Sequence, residues 1–364
     1  MATILSVAEV SPPHIILQKE AAEFARKMFE PAFKNINRLL EVFKNGQIEK
    51  RHFIKDLDWY KEKRSFSEKN DCFIESAVDL GAKAIQDCLE NPEYLKNKVR
   101  YEEIDAIITI CTTGLATPSI EARIMNKLPF SPHTKRIPIW GLGCAGGVSG
   151  LSRAYEYCLA NPKAMVLVLS IELCSLTFQY DDLSKSNLIG TSLFADGIAC
   201  TLVAGHDVKA DKYSKKQAVP KVIDVQSTLM QDSLDVMGWD VKDEGLYVVF
   251  SKDIPSIVKK WLRPNVDHFL SQHGMAIGQI NQFIAHPGGK KVLEAYGEAL
   301  SLSNEKLAPS FEVLKEYGNM SSVTIFYVLN RIMRKVESAN QWGLAVALGP
   351  GFSSELLLVR WEQL

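Results

Sequence analysis

The sequence lacks the features by which several common classes of protein are recognised. Its seven cysteines are scattered and odd in number, and none forms a CxxC pair, so neither a disulfide framework nor a zinc site is predicted. The longest apolar stretch, 164–178, is interrupted by Ser170 and Glu172 and is too short to cross a bilayer. The N-terminus has neither the basic region nor the apolar core of a secretory signal. We therefore expect a cytoplasmic protein without a membrane span.

An excess of charge of either sign is also missing. Lysine and arginine together number 42, and aspartate and glutamate 43, which gives a net charge of -1. No basic run alternates with aromatic residues, so the sequence predicts neither a nucleic-acid partner nor attraction to an anionic membrane. The 364 residues, 46% of them apolar, are enough for one large domain or two fused ones.

What the sequence does contain is an alternation of short β-branched runs with helical patterns, which predicts an α/β fold. The predicted strands lie at 106–111, 136–140, 164–171, 198–204, 222–225, 246–250, 282–285, 344–348 and 355–359. The predicted helices lie at 20–43, 72–90, 119–127, 147–160, 255–272, 290–301 and 321–338.

The order helix, strand, strand occurs twice, which indicates an internal duplication. In one half a helix that begins at Cys144 leads to AMVLVLSIE and IACTLVAG, and in the other a helix near Asn319 leads to GLAVALGPG and SELLLVRW. The polar, lysine-rich segment 209–221 between them is predicted to be an exposed linker. We therefore divide the chain into residues 1–208 and 222–364, and expect Cys144 and Asn319 at equivalent helix N-termini that face one another.

The stretch IPIWGLGCAGGVSG contains the spacing Gly141-x-Gly143-x-x-Gly146, which has two interpretations. A dinucleotide-binding loop has this spacing but needs an acidic residue about twenty residues further on, and Glu172 lies well beyond that distance. The alternative is a turn that presents Cys144 as a nucleophile. A helix N-terminus lowers the pKa of a thiol, and the glycines leave room for an acyl group. The sequence favours the nucleophile.

A cysteine nucleophile needs a base and hydrogen-bond donors for an oxyanion. Among the histidines His286 is the best candidate, because in INQFIAHPGG it follows an apolar run and so lies at the carboxyl end of a strand. Asn319, in EYGNMSSV, fits either a helix N-cap or the site, and the duplication favours the site. Papain-like proteases share the order Cys, His, Asn, but their cysteine lies near the mature N-terminus, whereas Cys144 is central.

At these three positions the sequence resembles the type III polyketide synthases, the chalcone-synthase-like branch of the thiolase fold. The matching stretches are GLGCAGGVSGLSRA, SLFADGIACTLVAG, GLYVVFSKDIP, IAHPGGKKVL, EYGNMSS and ALGPGF, preceded by CTTGLATPS. They keep that family's order and approximate spacing over most of the chain. The resemblance implies a five-layered αβαβα thiolase fold, usually a homodimer, that uses acyl-CoA and malonyl-CoA without a metal or other cofactor.

Carried residue by residue onto this chain, the resemblance implies a catalytic triad of Cys144, His286 and Asn319. Phe194 would be a gatekeeper beside the CoA tunnel, and Val248 falls where the family has a second gatekeeper phenylalanine. The other residues that the resemblance assigns to the substrate pocket are Leu246, Thr113, Cys174, Thr177 and Ser321.

Three further positions follow from the same resemblance. Thr117, in GLATP, matches the loop that reaches toward the partner subunit, although the plant enzymes have an extra residue near Gly114 that shifts the local alignment. Lys44 and Arg38 are the candidates for binding the CoA phosphates.

The implied reaction is the decarboxylative condensation of malonyl-CoA onto an acyl group held on Cys144. Because the implied pocket residues are small or aliphatic, we expect a long fatty acyl starter and closure to an alkylpyrone or alkylresorcinol. Three alternatives remain: a chalcone-synthase-like enzyme with aromatic starters, a ketoacyl synthase of the initiation type that uses carrier protein, and an inactive thiolase-like binding module.

Overall fold

The computed structural model describes all 364 residues, and most apolar runs of the sequence form strands of one nine-stranded sheet. The strands are β1 (Ala2–Val10), β2 (His14–Leu17), β3 (Lys50–Phe53), β4 (Ala106–Ile110), β5 (Lys135–Ile139), β6 (Met165–Leu173), β7 (Asp196–Gly205), β8 (Ala218–Leu229), β9 (Met237–Lys242), β10 (Gly245–Phe250), β11 (Gln282–Ala285), β12 (Gln341–Gly349) and β13 (Ser353–Gln363). The pairs β2–β3 and β9–β10 form separate two-stranded sheets.

Eleven α-helices surround and separate these strands. They are α1 (Gln18–Phe29), α2 (Ile36–Asn45), α3 (Phe66–Leu89), α4 (Ile120–Met125), α5 (Gly146–Ala160), α6 (Lys185–Leu193), α7 (Ala210–Tyr213), α8 (Ile254–Ser271), α9 (Lys290–Leu300), α10 (Asn304–Tyr317) and α11 (Thr324–Lys335). One-turn 3₁₀ helices at Gly143–Ala145 and Ser321–Val323 lead directly into α5 and α11. None of the helices is long and apolar enough to span a bilayer.

The large sheet repeats one pattern of pairing about its middle. Its strand order is β11-β12-β13-β8-β1-β7-β6-β4-β5. On one side β4 and β6 are parallel, while β6–β7 and β7–β1 are antiparallel; on the other side β11 and β12 are parallel, while β12–β13 and β13–β8 are antiparallel. The two sides meet where β1 pairs with β8, through Ala2 with Val222 and Thr3 with Lys221.

The layers follow from which faces of the strands are apolar. Helices α5 and α11 lie in the middle, because they contact strands of both sides as well as each other. Helix α3 covers the outer face of β1, β6 and β7, and α8 and α10 lie against the strands of the other half. In β12, Ala345 and Ala347 pack into the core that contains α11, whereas Leu344 and Val346 pack into the core that contains α8 and α9. This alternation gives the chain the five-layered αβαβα arrangement of the thiolase fold.

The predicted strands all occur within a few residues of their expected bounds, but other expectations were wrong. The predicted helix 20–43 is two helices, α1 and α2, separated by a turn that contains Pro31. Part of the predicted linker 209–221 is not exposed, because Ala218, Val219 and Pro220 are buried at the start of β8. The periodicity did not indicate β1, whose Thr3, Ser6 and Glu9 interrupt its apolar residues although the strand is buried on both faces.

The start of α3 shows a local signal that the periodicity missed. The helix begins at Phe66, six residues before the predicted start. Ser65 Oγ accepts a hydrogen bond from the Glu68 amide at 3.2 Å, and the Glu68 carboxylate accepts one from the Ser65 amide at 2.8 Å. This reciprocal capping box fixes the helix start, and its S-x-x-E spacing is visible in the sequence.

Gly147 gives a test of the close packing between the two halves. A Cβ atom at this position would lie 2.3 Å from the Ser322 carbonyl oxygen and 2.5 Å from Ile325 Cγ2, so α5 and α11 would have to separate. We expect Gly147→Ala to lower the free energy of unfolding by about 2 kcal/mol, measured by urea denaturation. The matched control is Gly278→Ala, where a Cβ meets nothing within 4 Å. Equal stability of the two variants would contradict the packing described here.

Candidate functional site

Cys144 lies on the turn between β5 and α5. The turn is possible because Gly141 and Gly143 adopt positive φ angles of 91° and 46°, which residues with a side chain rarely adopt. A Cβ on Gly143 would also lie 2.8 Å from Pro350 Cδ, in the ALGPG loop of the other half. The glycine spacing therefore serves the turn and the contact between the halves. It leaves Cys144 half-buried at the start of the helix.

Asn319 lies against Cys144, held by both its backbone and its side chain. Its amide donates to the Leu193 carbonyl at 2.9 Å, and its carbonyl accepts from the Ala195 amide at 2.9 Å. The Oδ1 atom accepts from the Ser321 amide at 2.8 Å and lies 4.0 Å from Cys144 Sγ. Asn319 is not a helix N-cap, because Met320 and Val323 occupy those positions; its side chain instead bonds the turn before α11 and contacts the sulfur.

The Asn319 amide nitrogen connects this pair to the segment of His286. Nδ2 donates to the Gly288 carbonyl at 3.1 Å. An amide nitrogen carries two hydrogens, so one remains for another acceptor. The His286 ring lies 3.8 Å from the position of a Cβ atom on Gly288, and the His286 amide donates to the Val346 carbonyl at 2.8 Å. The structure thereby places Cys144 beside Asn319 and joins Asn319 to the turn after His286.

Burial acts on the two titratable groups of this site in opposite directions. It raises the pKa of the Cys144 thiol to about 12, against smaller lowering effects from hydrogen bonds to Ser321 and Asn319. It lowers the pKa of His286 to about 3, and neither ring nitrogen has a partner within the protein. Taken one at a time, both groups are therefore neutral at pH 7. Two unused ring nitrogens and an amide hydrogen are available to a bound substrate.

A narrow cavity with a free volume of about 50 Å³, partly open to solvent, lies next to this site. Four of the residues that the sequence assigned to the pocket are in its wall: Phe194, Val248, Cys174 and Thr177. The sequence missed the other twelve wall residues, five of which are aromatic. These rings are Phe24, Phe53, Tyr60, Phe178 and Trp239. Phe194 connects the cavity to the site, because its backbone forms an isolated parallel β-bridge with that of Asn319.

The aromatic surface beside Phe194 includes Trp239, a residue that the sequence did not assign to the pocket. Val248 in β10 pairs across the hairpin with Trp239 in β9. The centre of the Trp239 ring lies 5.7 Å from that of the Phe194 ring. The Phe250 ring stacks on the Phe194 ring, with 5.5 Å between the ring centres. The valine therefore does not leave an aliphatic wall. The sequence carried a signal for this, since Trp239 and Val248 occupy facing positions of a short hairpin.

Of the other residues that the sequence assigned to the pocket, some line a second cavity and the rest lie outside both cavities. Thr113, Leu246 and Thr177 line a smaller cavity together with Lys69, and Thr177 belongs to both cavities. Thr113 Oγ1 donates to the buried Glu172 carboxylate at 2.9 Å. The other two residues lie elsewhere: Ser321 is buried beside Asn319 with a φ angle of 48°, and Thr117 is exposed on the loop after β4.

Lys44 and Arg38 are exposed on α2, and the structure does not bring them together. They are six residues apart on one helix, so their side chains point about 120° apart around its axis. Lys44 forms an ion pair with Glu41 at 3.0 Å. One phosphate group would not contact both residues in this arrangement.

Comparison with known proteins covers the whole chain. Residues 222–361 match the family model of chalcone and stilbene synthases, C-terminal domain, and residues 51–278 match that of FAE1/type III polyketide synthase-like proteins. A putative chalcone synthase of Bacillus subtilis is 55% identical over 100% of both chains. The alpha-pyrone synthesis polyketide synthase-like Pks18 of Mycobacterium tuberculosis is 28% identical, over 98% of this chain and 91% of that protein.

A solved structure of a type III polyketide synthase has the same fold as this chain. The 1,3,6,8-tetrahydroxynaphthalene synthase of Streptomyces coelicolor, described as a bacterial type III polyketide synthase, superposes with a TM-score of 0.91 at 27% identity. The match covers 100% of each chain. The similarity therefore extends over the fold and every element that carries the site.

Proposed function

Because this chain belongs to the type III polyketide synthase family, we propose that Cys144, His286 and Asn319 condense malonyl-CoA with an acyl-CoA starter. Enzymes of this family are acyltransferases that condense malonyl-CoA and need no cofactor beyond CoA-linked substrates. The observation that carries the assignment of the three residues is the contact of Asn319 with Cys144 Sγ, together with the Asn319 bond to Gly288 in the turn that His286 begins.

In the first half of the proposed reaction, Cys144 accepts the starter. The Cys144 proton moves to His286, the thiolate attacks the acyl-CoA thioester carbonyl, and CoA leaves as the acyl group becomes a cysteine thioester. Burial opposes each charge separately, so thiolate and imidazolium can form only together, each compensating the other. The position of Cys144 at the start of α5 adds the positive end of the helix dipole.

In the second half, malonyl-CoA loses CO₂ while its thioester carbonyl becomes an enolate oxygen. We place that oxygen between an N–H of the His286 ring and the free hydrogen of Asn319 Nδ2, since both are buried and uncommitted within the protein. The enolate carbon then attacks the acyl-cysteine carbonyl, the Cys144–acyl bond breaks, and the chain is two carbons longer. Phe194, bridged to Asn319, would exclude water from this step.

The pH dependence of alkylation tests the paired proton transfer. If His286 accepts the Cys144 proton, the thiolate is present at neutral pH, and we expect the rate of iodoacetamide inactivation to be nearly constant between pH 6.5 and pH 8.5. In His286→Gln the burial that raises the thiol pKa is uncompensated. Inactivation of this variant should then be at least about tenfold slower at pH 7 and rise about tenfold per pH unit.

The control for this measurement is His273→Gln, because His273 bonds Asp224 and does not line the cavity, so this change should leave the profile unchanged. A profile for the unmodified protein that rises in parallel with that of His286→Gln would show that His286 does not ionise Cys144. Peptide mapping confirms that the alkylated residue is Cys144.

For the starter we propose a long fatty acyl-CoA, with two or three malonyl extensions and closure to an alkylpyrone or alkylresorcinol. The wall rings pack edge-to-face against one another, Tyr60 with Phe178 at 82° and with Phe53 at 69°, so they do not form a slot of parallel faces for a flat starter. Two polar side chains of the wall, Ser175 and Asn187, are already bonded within the protein. The similarity to an alpha-pyrone synthase is consistent with this proposal.

Product analysis tests the starter. The protein is incubated with malonyl-CoA and an equimolar mixture of C6–C18 acyl-CoAs and 4-coumaroyl-CoA, and the products are identified by mass spectrometry. We expect alkylpyrone or alkylresorcinol masses, and a shift to longer starters in Trp239→Ala, which removes the ring facing Phe194. Tyr247→Ala is the matched control, since Tyr247 lies on the same hairpin outside the cavity wall. A preference for 4-coumaroyl-CoA, or products from malonyl-CoA alone, would exclude the fatty starter.

We also propose a cytoplasmic homodimer. Strand β5 is the edge of the large sheet, and the exposed Trp140 follows it. The parallel neighbour β4 leads into a loop with the exposed Leu115 and Thr117 at the same end of the sheet. Such an apolar edge is a candidate for self-association. The reducing compartment is supported by seven unpaired cysteines.

Sedimentation velocity tests the dimer. We expect the unmodified protein to sediment with twice the mass of the chain and Trp140→Asp to shift it toward the monomer, because a carboxylate would be buried in the interface. Leu159→Asp, an equally exposed position on α5, serves as the control. A monomeric unmodified protein would refute the proposal.

A further inference from the structure

Arg51 is a fully buried cation in the wall of the cavity beside Phe194. It lies in β3 and is 0% exposed. Its Nη1 atom donates to the carbonyl of Thr191 at 2.8 Å and to that of Phe194 at 2.6 Å, which holds the end of α6 and the Phe194 backbone. The mechanism proposed above does not use it. Among the sixteen residues that line the cavity it is the one with a charged side chain.

The guanidinium has donors that the protein leaves unused. Nε and Nη2 have no hydrogen-bond partner, although buried donors normally have one. The face of the Phe53 ring, 5.1 Å from the guanidinium carbon, attracts the cation but accepts no directed N–H bond. Burial lowers the Arg51 pKa to about 9, so the group remains charged at neutral pH.

The nearest buried carboxylate does not satisfy these donors. Asp196 attracts Arg51 electrostatically, but its oxygens accept hydrogen bonds from the Ile54 amide at 2.8 Å and from Ser175 Oγ at 2.6 Å. No ion pair joins Asp196 to Arg51. Arg51 therefore brings to the cavity wall a charged group with unused donors, held in place by two backbone carbonyls.

The chemistry of chain extension supplies such an acceptor on the acyl chain only from the first condensation onward. A saturated acyl chain has no oxygen beyond its thioester. After one condensation the chain carries a 3-oxo group, and the methylene between its two carbonyls is acidic, so the oxygen takes on enolate character. A guanidinium stabilises that negative charge.

We propose that Arg51 binds the 3-oxo oxygen of the once-extended acyl chain through its unused N–H groups, an inference that rests on the proposed polyketide synthase function. Arg51 thus distinguishes the intermediate from the starter. It retains the chain after the first condensation, so that further malonyl units are added before release.

Binding to the Cys144→Ala protein tests this, because that variant cannot form the acyl thioester. Decanoyl-CoA and 3-oxodecanoyl-CoA are titrated separately by calorimetry. We expect the 3-oxo compound to bind at least about tenfold more tightly, which corresponds to about 1.4 kcal/mol. In Cys144→Ala/Arg51→Met the ratio of the two dissociation constants should fall to about one.

Two further variants control for structural effects. Arg51→Lys keeps the charge without the fork of donors and should give an intermediate ratio; it also serves if Arg51→Met does not fold, as judged by circular dichroism. Arg64→Met removes a cation that lies 5.5 Å from the Trp59 ring but outside the cavity wall, and should leave the ratio unchanged.

The outcomes separate this inference from the function on which it rests. If neither acyl-CoA binds the Cys144→Ala protein, the proposed function fails. If both bind with equal affinity, or if Arg51→Met weakens both by the same factor, the function stands and Arg51 only holds the Phe194 segment in place.

Discussion

The structure depends on one close approach between its two halves. Helices α5 and α11 meet where Gly147 lies against the Ser322 carbonyl, at a distance that leaves no room for even a methyl group. Because each helix is preceded by a one-turn 3₁₀ helix, this contact also fixes the two turns relative to each other. Cys144 and Asn319 lie on those turns. The position of the sulfur beside the carboxamide is therefore a consequence of packing in the central layer.

Asn319 and His286 are buried beside the half-buried Cys144, and this burial sets the electrostatics of the site. Burial disfavours a charge on Cys144 and on His286 alike, so neither group ionises alone at neutral pH. A thiolate and an imidazolium that form together in a medium of low dielectric attract each other strongly. In the proposed mechanism, ionisation of Cys144 therefore requires that its proton move to His286. The same buried setting strengthens any hydrogen bond to an enolate oxygen.

The cavity shows how a local reading of the sequence can mislead. Val248 suggests a wide aliphatic pocket, but Trp239 on the facing strand fills the space beside Phe194. Several of the other wall residues come from α1, β3 and the segment between β3 and α3, which the sequence analysis did not connect with the site. Arg51 is among them. A short polar strand near the N-terminus has no periodic signal that would place it beside Phe194, which lies 143 residues further along the chain.

The sequence by itself determined the alternation of strands and helices and the repeated helix–strand–strand order, and it singled out Cys144, His286 and Asn319 as candidates for the site. Their signals are local: glycines that permit a turn, an apolar run that ends at a histidine, and an asparagine before a helix. The tertiary structure decided which side chains line the cavity, where β1 and β8 join the two sides of the sheet, and which buried donors remain unused. These depend on contacts between segments far apart in the chain, whose energies come from burial and close packing rather than from local preference.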